Sequence, residues 1–73
     1  MDYFSIALGK RLKKLRKAKG MTQDKVAKKL GIQQTAVSHW EHGDFCPGAA
    51  YLVKLADCIG CSVDEILGRT RKV

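Results

Sequence analysis

Apolar residues along this chain recur every three or four positions, the period of helices that bury one face. Phe4, Leu8, Leu12 and Leu15 fall at intervals of four, four and three and form a single stripe. Lys10, Arg11, Lys13, Lys14, Arg16 and Lys17 lie between them and cover the other faces. Asp2 can cap the start and Gly20 can end the segment in a left-handed conformation. A first helix is therefore expected over Tyr3 to Lys19. Thr22 offers a second cap, followed by a short helix with Val26 and Leu30 on one face and Ala27 beside them, stopped by Gly31. A third helix is predicted over Gln33 to Glu41. Ala36, Val37 and Trp40 face inward there, and Gln34, Thr35, Ser38 and His39 face outward or along the edge. Gly43, Asp44, Pro47 and Gly48 mark a loop. Ala49 to Ile59 reads as a fourth helix with Leu52, Leu55, Ala56 and Ile59 on its apolar side, closed by Gly60. Ser62 and Glu65 make a capping box that opens a short fifth helix through Leu67. No stretch alternates with period two for long enough to be a strand. The expected fold class is all-α: a compact bundle of five short helices, with residues 1–73 as one domain and a short basic tail at 69–73.

The second and third helices meet at a glycine, and each position there has a physical task. Ala27 has to be small because the next helix crosses close to it at a steep angle. Gly31 sits where the turn needs a positive φ. Val26, Leu30, Ile32, Val37 and Trp40 form the apolar seam that fixes the angle between the two. With those positions turned inward, the third helix displays Gln33, Gln34, Thr35, Ser38 and His39. These are short or amide side chains without an acid, suited to base edges and phosphates. Glutamine can bind adenine N6 and N7 together, and threonine can hydrogen-bond or set its methyl against thymine.

Charge sharpens this picture. Fourteen Lys/Arg against seven Asp/Glu give a net +7. Residues 1–29 carry ten basic and two acidic groups, residues 30–68 one lysine and five acids, and the last five residues three basic groups. So large a sum on so small a surface predicts affinity for a polyanion, nucleic acid before an acidic membrane. Lys28 and Lys29, on the second helix, are better placed to approach a phosphate backbone than Lys10, Lys13 and Lys14, which read equally well as a solvated face. KRLKKLRKAKG has the look of a nuclear-import or membrane-binding stretch, but Leu8, Leu12 and Leu15 are needed for the core, so no membrane partner is expected. No apolar run approaches the roughly 18–20 residues of a transmembrane helix. MDYFSIALGK begins with an acid and lacks an apolar signal region, so a cytoplasmic location is expected.

Cys46, Cys58 and Cys61 are an odd number of thiols, which argues for reduced cysteines and against a disulfide scaffold. His39, His42, Cys46, Cys58 and Cys61 could be assembled into a zinc site, but a lone CxxC is weak evidence. Cys58 and Cys61 also fall at core positions, so neither metal nor cofactor is expected. Cys46, in the loop, is the thiol most open to oxidation. No enzyme constellation is present: there is no phosphate-cradling glycine loop, no Ser–His–Asp set and no paired acids. Asp64 and Glu65 serve as first-turn acids of the fifth helix.

The segments LGKRLKKLRKAKGMTQDKVAKKLGI at 8–32, VSHWEHG at 37–43 and LVKLADCIGCSVDEIL at 52–67, in register, resemble the lambda-repressor-like (Cro/XRE-type) helix-turn-helix regulators of phages and bacteria. The resemblance implies a sequence-specific double-stranded DNA-binding regulator, a repressor that binds a palindromic operator as a homodimer with helix 33–41 in the major groove. It implies that Gln33, Gln34, Thr35 and His39 read base edges and that Thr22 and Gln23 contact phosphates. It also pairs Arg16 with Glu41, a bridge that would orient the reading helix. The segment from His42 to Gly48 matches a loop that runs beside the phosphates. Here Asp44, Phe45 and Cys46 replace the family's frequent basic residues, which leaves that work to backbone N–H groups near Gly48 and Ala49. Ile59, Val63, Ile66 and Leu67 offer the apolar surface expected for dimer contacts. The rival reading is a protein-interaction module of the same fold, antitoxin-like or a partner of an anti-repressor.

Overall fold

A computed structural model of the chain describes residues 2–69. Residues 70–73, most of the expected basic tail, lie outside the described residues. The elements run α1 (Tyr3–Ala18), α2 (Gln23–Leu30), α3 (Gln34–His42), α4 (Ala49–Ile59) and α5 (Val63–Leu67), with no strand among the described residues.

Local chemistry sets the helix ends. Asp2 accepts from the Ser5 N–H, Thr22 from the Lys25 N–H and Ser62 from the Glu65 N–H. The Glu65 side chain returns to the Ser62 N–H, completing the capping box. At the far end of α2, Gly31 adopts φ +72° and the Ile32 N–H reaches the Ala27 carbonyl. That left-handed turn reverses the chain within one residue and carries Ile32 back onto the core. The third helix differs slightly from expectation. Gln33 is its extended N-cap, not its first helical residue, and the helix runs one residue further, to His42.

Packing closes a circuit: α1 lies on α3 and α5, α2 on α3 and α4, and α4 on α5. Leu8, Leu12, Val26, Ala27, Val37, Trp40, Leu55, Ala56, Ile59 and Ile66 fill its centre. Trp40 is a core residue, with its ring 5.4 Å from that of Tyr51. Two expectations fail here. Phe4 is 53% exposed, because the buried face of α1 runs through Ser5, Leu8, Gly9, Leu12 and Arg16 instead. Ile59 and Ile66 are 2% and 0% exposed, so neither is available for dimer contacts, and Val63 and Leu67 are themselves partly packed against the core.

Gly9 explains the rotated stripe. The end of α3 crosses so close that a Cβ at Gly9 would stand 2.6 Å from the Glu41 carbonyl oxygen and closer still to that of Trp40. Only a residue without a side chain lets the two backbones meet, and this contact sets how far α3 sits from α1. Arg11, two residues further along α1, ties the helix to α5. Its Nε and Nη2 donate to the carbonyls of Ile66 and Leu67 at 2.9 and 2.8 Å and hold the last turn of α5.

Gly9→Ala should therefore destabilise the domain by about 1–3 kcal/mol by overpacking, although alanine is the better helix former by roughly 1 kcal/mol. Gly48→Ala, where the added Cβ meets open space, should change stability far less. Urea unfolding midpoints of the two variants check the contrast.

Candidate nucleic-acid interface

The face expected to meet DNA is built outward from a buried ion pair. Arg16, on the last turn of α1, donates from Nε to Glu41 Oε2 at 2.6 Å and from Nη2 to Glu41 Oε1 at 2.9 Å. The two side chains are only 8% and 3% exposed. Nη1 donates to the Met21 carbonyl at 2.6 Å, so one guanidinium joins α1, the α1–α2 turn and the end of α3. The hydrogen bonds to Glu41 hold the Arg16 pKa above its ordinary value against the opposing cost of burial.

From this pair a chain of amides leads to the surface. Gln23, the first residue of α2, donates from Nε2 to Glu41 Oε1 at 3.0 Å. Its Oε1 accepts from Gln34 Nε2 at 3.3 Å. Gln34 is exposed on the first turn of α3, and this contact leaves its carbonyl oxygen and its second N–H free to face a ligand. Gln33, Thr35, Ser38 and His39 are exposed as well, so all five side chains expected to read bases reach solvent. Gln33 caps α3 without a side-chain hydrogen bond, and Gly48 does the same for α4. Both N-termini thus lack a side-chain partner for their first N–H groups, the arrangement that suits a phosphate oxygen. Gly48 and Ala49 are exposed.

The other expected phosphate contacts lie in different settings. The Thr22 hydroxyl oxygen accepts from the Lys25 N–H at 3.1 Å, and its proton remains available to donate. Lys28 extends over Asp24 at 3.2 Å in an exposed pair. Lys29 lines a separate groove with Leu30, Lys54, Asp57 and Cys58, on the side where α2 packs against α4. A second hollow, lined by Lys13, Gln23, Ser38, Glu41 and His42, runs along the edge of the amide chain.

His39 is held in a way the sequence did not suggest. Its Nδ1 lies 2.9 Å from Asp44 Oδ2, and its ring meets Phe45 edge-on. Cys46 is exposed, with its sulfur 2.9 Å from the hydroxyl of buried Ser5. Cys58 and Cys61 pack against the core, and burial pushes the Cys61 thiol up, away from the thiolate a metal would need. Among the described residues no three His, Cys, Asp or Glu side chains are grouped to hold a metal ion, and no helix is long and apolar enough to cross a membrane.

Residues 12–66 match the family described as Helix-turn-helix (HTH_3). The chain belongs to this Cro/XRE-type family. It is 41% identical over 59 residues to RstR, the transcriptional repressor of the cryptic phage CTXphi in Vibrio cholerae, which covers 81% of this chain and 53% of RstR. It is 40% identical over 58 residues to YazB, an HTH-type transcriptional regulator of Bacillus subtilis, covering 80% of this chain and 84% of YazB. The chain thus spans about half of RstR but most of YazB. Among solved structures, the restriction-modification controller protein C.AhdI from Aeromonas hydrophila superposes with a TM-score of 0.79 at 30% identity over 84% of this chain and 92% of its own. The clp gene regulator ClgR from Corynebacterium glutamicum gives 0.86 at 25% identity over 93% and 72%. These relatives of the helix-turn-helix domain are regulators, and the five-helix fold is theirs.

Breaking the buried pair should cost far more than breaking an exposed one. Glu41→Ala strands a buried guanidinium and should destabilise by about 3–5 kcal/mol. Asp24→Ala, which removes only the exposed partner of Lys28, should cost about 0–1 kcal/mol. Thermal unfolding of both variants tests the difference.

Proposed function

We propose that this domain is a sequence-specific double-stranded DNA-binding regulator, a repressor that acts as a homodimer on a two-fold symmetric operator with α3 in the major groove. The observation that carries the reading is the path from the buried Arg16–Glu41 pair through Gln23 to the exposed Gln34. An amide fixed from behind in this way meets adenine N6 and N7 without first losing its rotational freedom. Gln33, Thr35, Ser38 and His39 would read neighbouring bases, and no acid stands in that row. Thr22, Gln23, Lys28 and Lys29, with the backbone N–H groups at Gly48 and Ala49, would hold phosphates on either side.

The homodimer follows from size. One module of this kind buries too little surface for high specificity, whereas two reading half-sites roughly 34–36 Å apart double it. Affinity would come mainly from phosphates, concentrated by the basic first 29 residues. The relatives named as repressors and regulators support this reading, and the place of action would be a bacterial cytoplasm.

Selection of bound sequences from a random duplex pool at physiological salt should return a two-fold symmetric motif. Uniform recovery together with tight self-association would instead favour a protein-interaction module. On the selected site, Gln34→Ala should cost about 1–3 kcal/mol and relax selectivity at one base pair. Lys28→Ala should weaken all duplexes alike and reduce the salt slope by about one. Equal behaviour of the two variants would overturn the assignment of Gln34 as a reader.

A further inference from the structure

Both histidines of the sequence share a single carboxylate. His39 Nδ1 lies 2.9 Å from Asp44 Oδ2, and His42 Nδ1 lies 3.2 Å from Asp44 Oδ1. The Asp44 N–H also donates to the His39 carbonyl at 3.0 Å, which folds the loop back over the end of α3. Phe45 closes on the His39 ring with centroids 5.4 Å apart and planes at 67°. Each ring is thus held at Nδ1, and Nε2 is its free nitrogen. All three groups reach solvent, with side chains 51%, 73% and 31% exposed for His39, His42 and Asp44.

The arithmetic of charge is simple. The cluster carries −1 with both rings neutral and +1 with both protonated. Hydrogen bonds from His39 and then His42 hold the Asp44 carboxyl below its usual range, so the acid keeps its charge; imidazole is the side-chain type that gains or loses a proton between about pH 5 and 8. The other charged groups beside the cluster are Lys13 of α1 and Glu41 of α3, which share a hollow with His42 and with Gln23 of α2. Glu41 is already matched by Arg16. His39 lies in the exposed row of α3, so a polyphosphate docked there meets either a repelling or an attracting cluster.

We propose that the His39–Asp44–His42 cluster is a proton-gated contact to the duplex, which binds DNA with uptake of protons on the two rings. This rests on the DNA-binding reading above. A ligand that prefers the protonated form binds more tightly as pH falls through the histidine range, and each whole proton taken up is worth about tenfold in affinity per pH unit.

The test is fluorescence anisotropy with a labelled duplex of about 24 base pairs carrying the site selected above, at about 0.15 M salt, near pH 8 and near pH 6. The unaltered domain should bind at least about fivefold more tightly at the lower pH. The double variant His39→Asn with His42→Gln should lose that difference to within about twofold, with circular dichroism showing the same helix content at both pH values. Asp44→Asn, which deletes the fixed negative charge, should bind several-fold more tightly than the unaltered domain near pH 8. Equal affinity of the unaltered domain at the two pH values, a double variant that keeps the difference, or no gain from Asp44→Asn would each overturn the gate. Binding without pH dependence leaves the DNA-binding reading standing, whereas absence of binding at either pH removes both.

Discussion

The buried pair of Arg16 and Glu41 is the constraint on which the rest of this domain depends. Taking two charges out of water costs several kcal/mol per ion and is offset only where every donor and acceptor finds a partner. Here that condition holds. Arg16 serves Glu41 twice and the Met21 carbonyl once, and Glu41 Oε1 accepts from Gln23 as well. No buried side-chain nitrogen or oxygen among the described residues lacks a partner. Two aliphatic side chains could fill the same volume with equal or greater stability. They could not fix the direction of Gln23, and through it that of Gln34. The ion pair therefore contributes orientation more than stability.

That pair also depends on a close approach. Arg16 reaches Glu41 because α3 lies almost against the backbone of α1 at Gly9. The same crossing places Ser5 and Leu8 inward and leaves Phe4 outside. A single missing side chain thus decides which stripe of α1 is buried and whether the guanidinium can span the gap.

The order of the helices was legible in the sequence because it rests on local chemistry. Thr22, Ser62 with Glu65, and the left-handed Gly31 and Gly60 act within a turn or two of their own positions. Apart from the Arg16–Glu41 pair, which the family resemblance implied, what depended on approach between distant segments was not legible. A glycine in mid-helix is itself a sign of close packing, so Gly9 carried a usable signal that apolar spacing alone ignored. Arg11 carried none: nothing in a run of basic residues marks the one whose fork holds the carbonyls of α5, more than fifty residues away. Asp44 was noticeable as an acid in a loop where the family frequently carries basic residues. Its bond to two histidines needs the turn at Gly43, whose φ of +89° folds the loop onto α3. Ile59 and Ile66 were misplaced for another reason. A chain of this size has few large aliphatic residues, and its core uses nearly all of them.

The two ends of α3 are consequently supported in different ways. At its start, Gln34 is backed by a chain of hydrogen bonds that ends in a buried ion pair, insulated from solvent and little affected by pH or salt. At its end, His39 and His42 rest on the exposed carboxylate of Asp44, with their own side chains open to solvent. On the proposed reading, a change of proton concentration would act on the strength of attachment while the amide of Gln34 stays held from behind. The two ends of this nine-residue helix are thus fastened differently, one to the core and the other to the surface, and the proposed gate acts on the second.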